Sequence, residues 1–432
     1  MFFSRRFFPY FVVQCLGALN DNVFKNTLLL MVAWASINDL PMPIDVFVNL
    51  AAALFILPFL LFSAHAGYIA DGHDKAWLIR WLKAIELVLM LAGAVAIMTH
   101  SYVWMLVLLF LMGTQSAYFG PVKYALLPQS LASSELVRGN AWVEVGTFLA
   151  ILAGTIGAGI MMASNHAAVL SASAVAVFGA IGWLASLAIA PLPPLAAASA
   201  NSHQGYWRLL QSVKAQSNIF TAVLGISWFW FVGAIYLTQF PNFTRLFLHA
   251  NPGVVSLLLA LFSIGIASGS FMCVKLAKGQ IELGLLPIGL LGLAVFGLDL
   301  VWAVQGVTPL ANGELYVASY FIQSSSHWRL MVDLFMVGLS GGIYIVPLYS
   351  FIQAEARPSE RAQVIAANNI LNAIFMIASA LVAIVLLQVL ELSIVQLFAI
   401  TALLNLPVIY LLCLTKPKFK RAALRYLRGS NR

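Results

Sequence analysis

Apolar stretches of about 20 residues recur along this chain from end to end, and no single water-soluble core could bury them all. A hydrocarbon layer about 30 Å thick is crossed by about 20 helical residues rising 1.5 Å each. In lipid every backbone donor and acceptor must be satisfied internally, which favours helices for runs of this length. The runs predict twelve spans, at roughly 7–36, 44–69, 77–98, 102–127, 138–163, 166–190, 218–241, 253–276, 281–304, 329–354, 362–388 and 392–414. Over 432 residues the chain is 62% hydrophobic and 9% charged, which excludes a soluble globular protein. The expected fold class is an all-α polytopic membrane protein. Arg5-Arg6 ahead of an apolar run mimics a signal peptide. The run is too long for one and lacks a small-x-small cleavage site, so it reads as an uncleaved first span.

That first span breaks the apolar rule. Gly17-Ala-Leu-Asn-Asp-Asn-Val-Phe-Lys-Asn26 places Asn20, Asp21, Asn22, Lys25 and Asn26 about 21 Å along a helix starting near Phe7, close to mid-bilayer. An Asp or Lys there costs roughly 2.5–3.5 kcal/mol on insertion scales, so the cluster is a functional-site candidate. Asp21 and Lys25 are four apart, share a helix face and are expected to offset each other's charge. A helix-packing role with no ligand is the plain alternative.

Between spans six and seven, Pro191-Leu-Pro-Pro194 and the small polar residues after it read as a linker. The expected organisation is therefore 1–190, a first six-helix bundle; 191–217, a cytoplasmic linker; 218–414, a second six-helix bundle; and 415–432, a basic cytoplasmic tail suited to anionic lipid. With the N-terminus cytoplasmic, all but four of the 23 Lys and Arg fall on that side, Lys83 and the tail included. Arg245 and Arg329 fall outside, and Lys25 and Lys123 within the membrane. This positive-inside bias puts both termini in the cytoplasm and explains the net charge of +8 without nucleic acid. Cys15, Cys273 and Cys413 lie in apolar segments without metal-ligand spacing. The loop at 305–328 is expected to be extracytoplasmic, with room for a short helix.

The halves echo each other. Pro121-Val-Lys-Tyr precedes Asn140 and Glu144 by 19 and 23 residues; Pro347-Leu-Tyr-Ser precedes Asn368 and Asn372 by 21 and 25. Two parallel six-span repeats are the pattern of major facilitator transporters. Gly67-Tyr-Ile-Ala-Asp71-Gly-His-Asp-Lys75 resembles that superfamily's Gly-x-x-x-Asp-x-x-x-basic loop. The resemblance implies a gating latch: Gly67 for close helix approach, Asp71 at the N-terminal dipole of span three, and Lys75 pairing across a cytoplasmic gate. Arg138 is expected to join them.

A narrower resemblance rests on several segments together. They are the Asn-Asp-Asn of span one, Phe119-Gly-Pro-Val-Lys-Tyr-Ala-Leu-Leu-Pro-Gln129, Arg138-Gly-Asn-Ala-Trp-Val-Glu144, Gly341-Gly-Ile-Tyr-Ile-Val-Pro347 and Ala366-Ala-Asn-Asn369. They resemble the bacterial lysophospholipid transporter family, above all its branch fused to an acyltransferase–acyl carrier protein synthetase. The resemblance implies a flippase carrying lysophosphatidylethanolamine, and lysophosphatidylglycerol as well, from the outer to the inner leaflet of the inner membrane by alternating access. The expected partners are that lysophospholipid, membrane lipids and a separate cytoplasmic acyltransferase, around a monomer, with no cofactor, metal or nucleic acid. The family's basic residue in the seventh span is missing from Trp228-Phe-Trp-Phe-Val-Gly-Ala-Ile-Tyr-Leu-Thr-Gln239.

The residues suit such a cargo. A phosphate needs cations or clustered donors, which Lys25, Lys123, Asn22 and Asn368 supply. An ammonium needs anions or aromatic faces, which Asp21, Glu144, Tyr124 and Tyr344 supply. Asn20, Gln115, Gln239 and Asn372 complete the expected substrate set. Lys123 can instead snorkel to the interface, Glu144 can be a gate residue, and Gln115 and Gln239 can equally satisfy neighbouring helices. Glu86, Asp299 and Asp333 read as structural or interfacial. An enzyme is not expected: His65 and Asp71 miss the His-x4-Asp spacing of acyltransferases, and no Gly-x-Ser-x-Gly, His-Glu-x-x-His or nucleotide loop occurs. The rival transporter class is a proton-coupled exporter of a drug or other amphiphile, with Asp21 or Glu144 as proton carrier.

Overall fold

The computed structural model describes residues 1–35, 40–194, 205–310, 314–414 and 416–428. Parts of the expected linker, of the 305–328 loop and of the tail, Arg432 included, lie outside the described residues. The first half supplies α1 (Phe8–Trp34), α2 (Ile44–Gly72), α3 (Lys75–Met98), α4 (Tyr102–Ser130), α5 (Leu136–Met162) and α6 (Ala167–Leu187). A short amphipathic helix, α7 (Tyr206–Ala215), precedes α8 (Ser217–Leu246), α9 (Pro252–Ala277) and α10 (Leu286–Ala303). Then come α11 (Ala318–Gln323), α12 (Trp328–Glu355), α13 (Arg361–Ile384), α14 (Ile394–Leu403), α15 (Asn405–Ile409) and α16 (Pro417–Leu427). The expected spans are all present, and α11 is the short helix anticipated in the 305–328 loop.

Among the described residues eleven helices are long and apolar enough to cross a membrane. Although 27 residues long, α1 stands outside that set, because its Asn, Asp and Lys cluster dilutes its hydropathy. Local chemistry sets the helix ends. Asp74 caps α3 by accepting from Trp77 N at 2.8 Å; Asn251 accepts from Gly253 N at 2.9 Å ahead of Pro252 at the first helical position of α9. Ser393 and Gln396 form a capping box on α14. Prolines inside α2, α4, α8 and α12 are tolerated as in other membrane helices, where neighbouring groups cover the freed carbonyls.

The chain divides into two compact units whose borders are not those of the sequence halves. Unit 1 comprises Met1–Leu136, Leu149–Gln216 and Gln353–Ala373; unit 2 comprises Val137–Phe148, Ser217–Ile352 and Ile374–Arg432. The early turns of α5 thus pack with the second half, and the early turns of α13 with the first. In unit 1, α1 and α3 each pack on α6, and α4 packs on α2 and α3, around Phe24, Met31, Met90, Met105 and Met112. In unit 2, α9 and α12 cross on glycine. A Cβ on Gly265 would strike Phe335 O and sit 3.0 Å from Leu339 N; one on Gly342 would strike Ile266 O and sit 2.6 Å from Ser270 N. Gly269 faces Leu339 O and Gly338 faces Phe262 O in the same way. Gly265-x-x-x-Gly269 and Gly338-x-x-x-Gly342 are therefore two small-residue stripes laid backbone on backbone.

Candidate functional site

In unit 1 the polar residues of α1, α3 and α4 form one hydrogen-bonded chain. Lys83 Nζ donates to Glu86 Oε2 at 2.6 Å, and both side chains are almost fully buried, at 1% and 4% exposure. Gln115 Nε2 donates to the same oxygen at 3.0 Å and reaches Leu82 O at 3.3 Å. Ser116 Oγ lies 3.4 Å from Gln115 Oε1 and donates to Asp21 Oδ2 at 2.9 Å. Lys83 enters the bundle because Gly17 leaves room for it: a Cβ there would lie 2.5 Å from Nζ. Its ammonium also lies 5.0 Å from the centre of the Phe119 ring, a cation–π distance. Such a chain inside an apolar bundle needs every partner in place, since a buried charge left alone is costly.

This corrects one expectation and refines two. Lys83 is not a cytoplasmic-side charge but a buried one, more than two turns into α3. Of the two roles expected for Glu86, structural or interfacial, its place in the network is the structural one. The spacing of three between Lys83 and Glu86 was a usable signal, masked by counting Lys83 with the loop charges. Asp21 and Lys25 share a helix face and feel each other's charge, although no ion pair within 4.0 Å joins them. Asp21 turns to Ser116, and Lys25 Nζ lies 5.8 Å from the centre of the Phe55 ring on α2.

The rest of the α1 cluster ties helices together. Asn20, fully buried, donates to Val175 O on α6 at 3.3 Å. Asn22 Nδ2 turns back to Ala18 O at 2.8 Å, and Asn26 Nδ2 reaches Thr155 Oγ1 on α5 at 3.1 Å. Lys123 Nζ lies 5.1 Å from the Tyr124 ring centre. Asn368 and Asn372 of α13 are buried in unit 1, and neither amide atom of Asn368 has a hydrogen-bond partner.

Of the latch residues, Gly67, Asp71 and Lys75 also lie in unit 1, in an arrangement the sequence did not suggest. Asp74, not Asp71, caps α3; it also accepts from Leu192 N at 2.6 Å. Asp71 caps α13 instead, accepting from Ala362 N at 2.9 Å, Gln363 N at 3.1 Å and Gln363 Nε2 at 3.4 Å. An anion at a helix N-terminus meets both bare donors and the positive end of the dipole. Gly67, one turn earlier, lets α2 approach: a Cβ there would lie 2.5 Å from Ala366 Cβ and 3.0 Å from Ala362 O. Lys75 is buried, but no ion pair within 4.0 Å joins it to a described carboxylate. Asp71→Ala is expected to strip the cap, at about 0.5–2 kcal/mol. Hydrogen–deuterium exchange should then quicken at the first amides of α13 and stay unchanged in α3; equal protection in both would discount the cap.

The remaining expected residues belong to unit 2. Asn140, Glu144 and Tyr344 are buried. Asn140 Nδ2 donates to Ser350 Oγ at 3.2 Å, and Tyr344 OH donates to Gly225 O at 2.9 Å, which makes the tyrosine a helix tie. Gln239 keeps a buried Oε1 without a partner. Arg138 is exposed in the first turn of α5. Trp228 and Trp230 are both anchored, to Asn405 Oδ1 at 2.9 Å and Tyr349 OH at 3.3 Å. The Asp299–Arg329 ion pair joins α10 to α12.

A polytopic bundle without described strands, with ionisable groups buried along its long helices, is the architecture of a membrane transporter. Residues 11–380 match the Major Facilitator Superfamily, and the chain belongs to that family. It is similar to the lysophospholipid transporter LplT of Escherichia coli O139:H28, 25% identical over 375 residues and covering 83% of each chain. LplT of Shigella boydii serotype 18 matches to the same extent. Among solved structures, the human organic anion transporter MFSD10 (TETRAN) superposes with a TM-score of 0.72 at 15% identity, over 94% of this chain and 99% of that one. The transporter FucP in its outward conformation gives 0.69 at 12%, over 95% and 98%. At such identities these two show the shared fold alone.

Proposed function

We propose that this chain moves lysophospholipid of the lysophosphatidylethanolamine type from the outer to the inner leaflet of the bacterial inner membrane, by alternating access and without enzymatic chemistry. The lysophospholipid transporters it resembles support the substrate class. The observation that carries the reading is the chain from buried Lys83, Glu86 and Gln115 to half-buried Ser116 and Asp21. It holds opposite charges in an apolar bundle, as a zwitterionic headgroup requires. In this reading Asn20, Asp21, Asn22, Lys25, Gln115, Lys123, Tyr124, Glu144, Gln239, Tyr344, Asn368 and Asn372 serve the cargo. Asp71 and Gly67, with Lys75 and Arg138, serve the gate. Both termini face the cytoplasm, where a separate acyltransferase takes the product from a monomeric transporter.

The test is reconstitution with acyl-labelled lysophosphatidylethanolamine. Wild type should move label between leaflets faster than empty vesicles do, and Asp21→Asn or Lys123→Ala should slow it about tenfold or more, the worth of one charge-assisted hydrogen bond. Normal transport by both variants would dismiss these site assignments. The second reading, proton-coupled export of an amphiphile, draws on Asp21, a half-buried carboxylate with no ion-pair partner within 4.0 Å, or on buried Glu144 as proton carrier. It wins if lysolipid stays put while a proton gradient drives a cationic dye.

A further inference from the structure

The helix after the last span, α16, lies across the same-side ends of three spans of unit 2. Its Phe419, Ala422 and Ala423 are buried, and with Tyr426 they recur at spacings of three and four, so they share one face. The Phe419 ring packs edge-on against Phe351, one turn before the end of α12, with centroids 5.6 Å apart. Lys418 Nζ lies 4.7 Å from the centre of the same Phe351 ring. Lys416 Nζ donates to Oγ of Ser217, the first residue of α8, at 3.4 Å. A glycine completes the seat. In the turn Leu283–Leu285 that leads into α10, a Cβ on Gly284 would strike Tyr426 Cβ and lie 2.9 Å from Ala422 O. Span ends mark where hydrocarbon gives way to headgroups, so α16 is held at that level.

The outward side of α16 is of two kinds. Lys420, Arg421 and Arg428 are exposed, and residues 417–428 contain no acid. Beside them stand Leu424 and Leu427, 39% and 68% exposed. Cations alone would suit an acidic protein as well as a membrane. Bare leucines among them, at the level of the span ends, suit the boundary where acyl chains meet phosphates. We propose that α16 binds anionic phospholipid headgroups through Lys420, Arg421 and Arg428, with Leu424 and Leu427 sunk among the acyl chains, and that the bound lipid holds the helix in its seat on α8, α10 and α12. The phosphate oxygens accept charge-assisted hydrogen bonds from one ammonium and two guanidiniums. This lipid site goes beyond the proposed transport and stands whatever the cargo is.

The experiment measures hydrogen–deuterium exchange of the full chain in vesicles of phosphatidylcholine alone and of equal parts phosphatidylcholine and phosphatidylglycerol. The amides of α16 should exchange about tenfold more slowly, or slower still, in the anionic vesicles, as three cations at a charged surface allow. Salt at about 1 M, which screens charges beyond about 3 Å, should remove most of that difference. The triple variant Lys420→Gln/Arg421→Gln/Arg428→Gln should lose it too, while its exchange in phosphatidylcholine stays that of wild type. All three side chains are exposed, so the variant is expected to fold. Exchange in α16 that ignores lipid charge overturns the proposal, and so does a difference that the triple variant retains. Protection that appears only when a soluble acidic protein is added, with either lipid, overturns it in favour of a protein partner.

Discussion

Lys83→Met should destabilise the folded protein by about 3–5 kcal/mol, the usual consequence of leaving one partner of a buried ion pair uncompensated. Glu86 would keep its hydrogen bond from Gln115 but lose its counter-ion in a setting where water cannot replace it. The double variant Lys83→Met/Glu86→Leu should recover most of that loss, because apolar side chains of similar size pack where the pair stood. Thermal melting of detergent-purified protein checks both. A single variant as stable as wild type would show that the pair is solvated, contrary to its burial. The double-mutant comparison matters more than either single value, since it isolates the coupling between the two groups from packing changes.

The second large effect is expected at the glycine crossing of α9 and α12. Gly269→Leu should yield no folded, monodisperse protein. The new side chain would point at the Leu339 carbonyl, and on the opposite stripe even a Cβ on Gly342 would strike Ile266 O and sit 2.6 Å from Ser270 N. Backbone cannot step aside as a flexible side chain can, so the helices must part. Gly→Ala at the same place should already cost about 1–3 kcal/mol through overpacking. Gly159→Leu is the matched control, because a Cβ there meets nothing within 4 Å. Size-exclusion profiles of the three variants settle the matter. If Gly269→Leu elutes like wild type, α9 and α12 do not cross as described.

Much of this was open to reading from sequence because lipid imposes a single rule on length and polarity. The span from Tyr102 to Ser130 was placed to within three residues, and that from Lys75 to Met98 to within two. The polar cluster on α1 and the Gln115 signal were visible for the same reason: they break the rule. What failed was anything that depends on which helix lies opposite which. Asp71 and Asp74 are three residues apart and equally plausible caps for α3; only the packing of α2 on α13 assigns Asp71 elsewhere. Lys83 lies close enough to a helix start to pass for a loop charge, and nothing in its own segment reveals the opening at Gly17. The glycine stripes were in plain view, yet a four-residue spacing shows that a helix can be approached closely without naming its neighbour.

The cap on α13 carries a consequence for any working cycle. While Asp71 holds the Ala362 and Gln363 amides, those donors need no water. If α13 withdraws from α2, two backbone N–H groups and a carboxylate are bared at once, each worth about 1–3 kcal/mol if left dry. Separation is therefore affordable only as hydration arrives, and the same few atoms act as a seal whose breaking is felt as wetting.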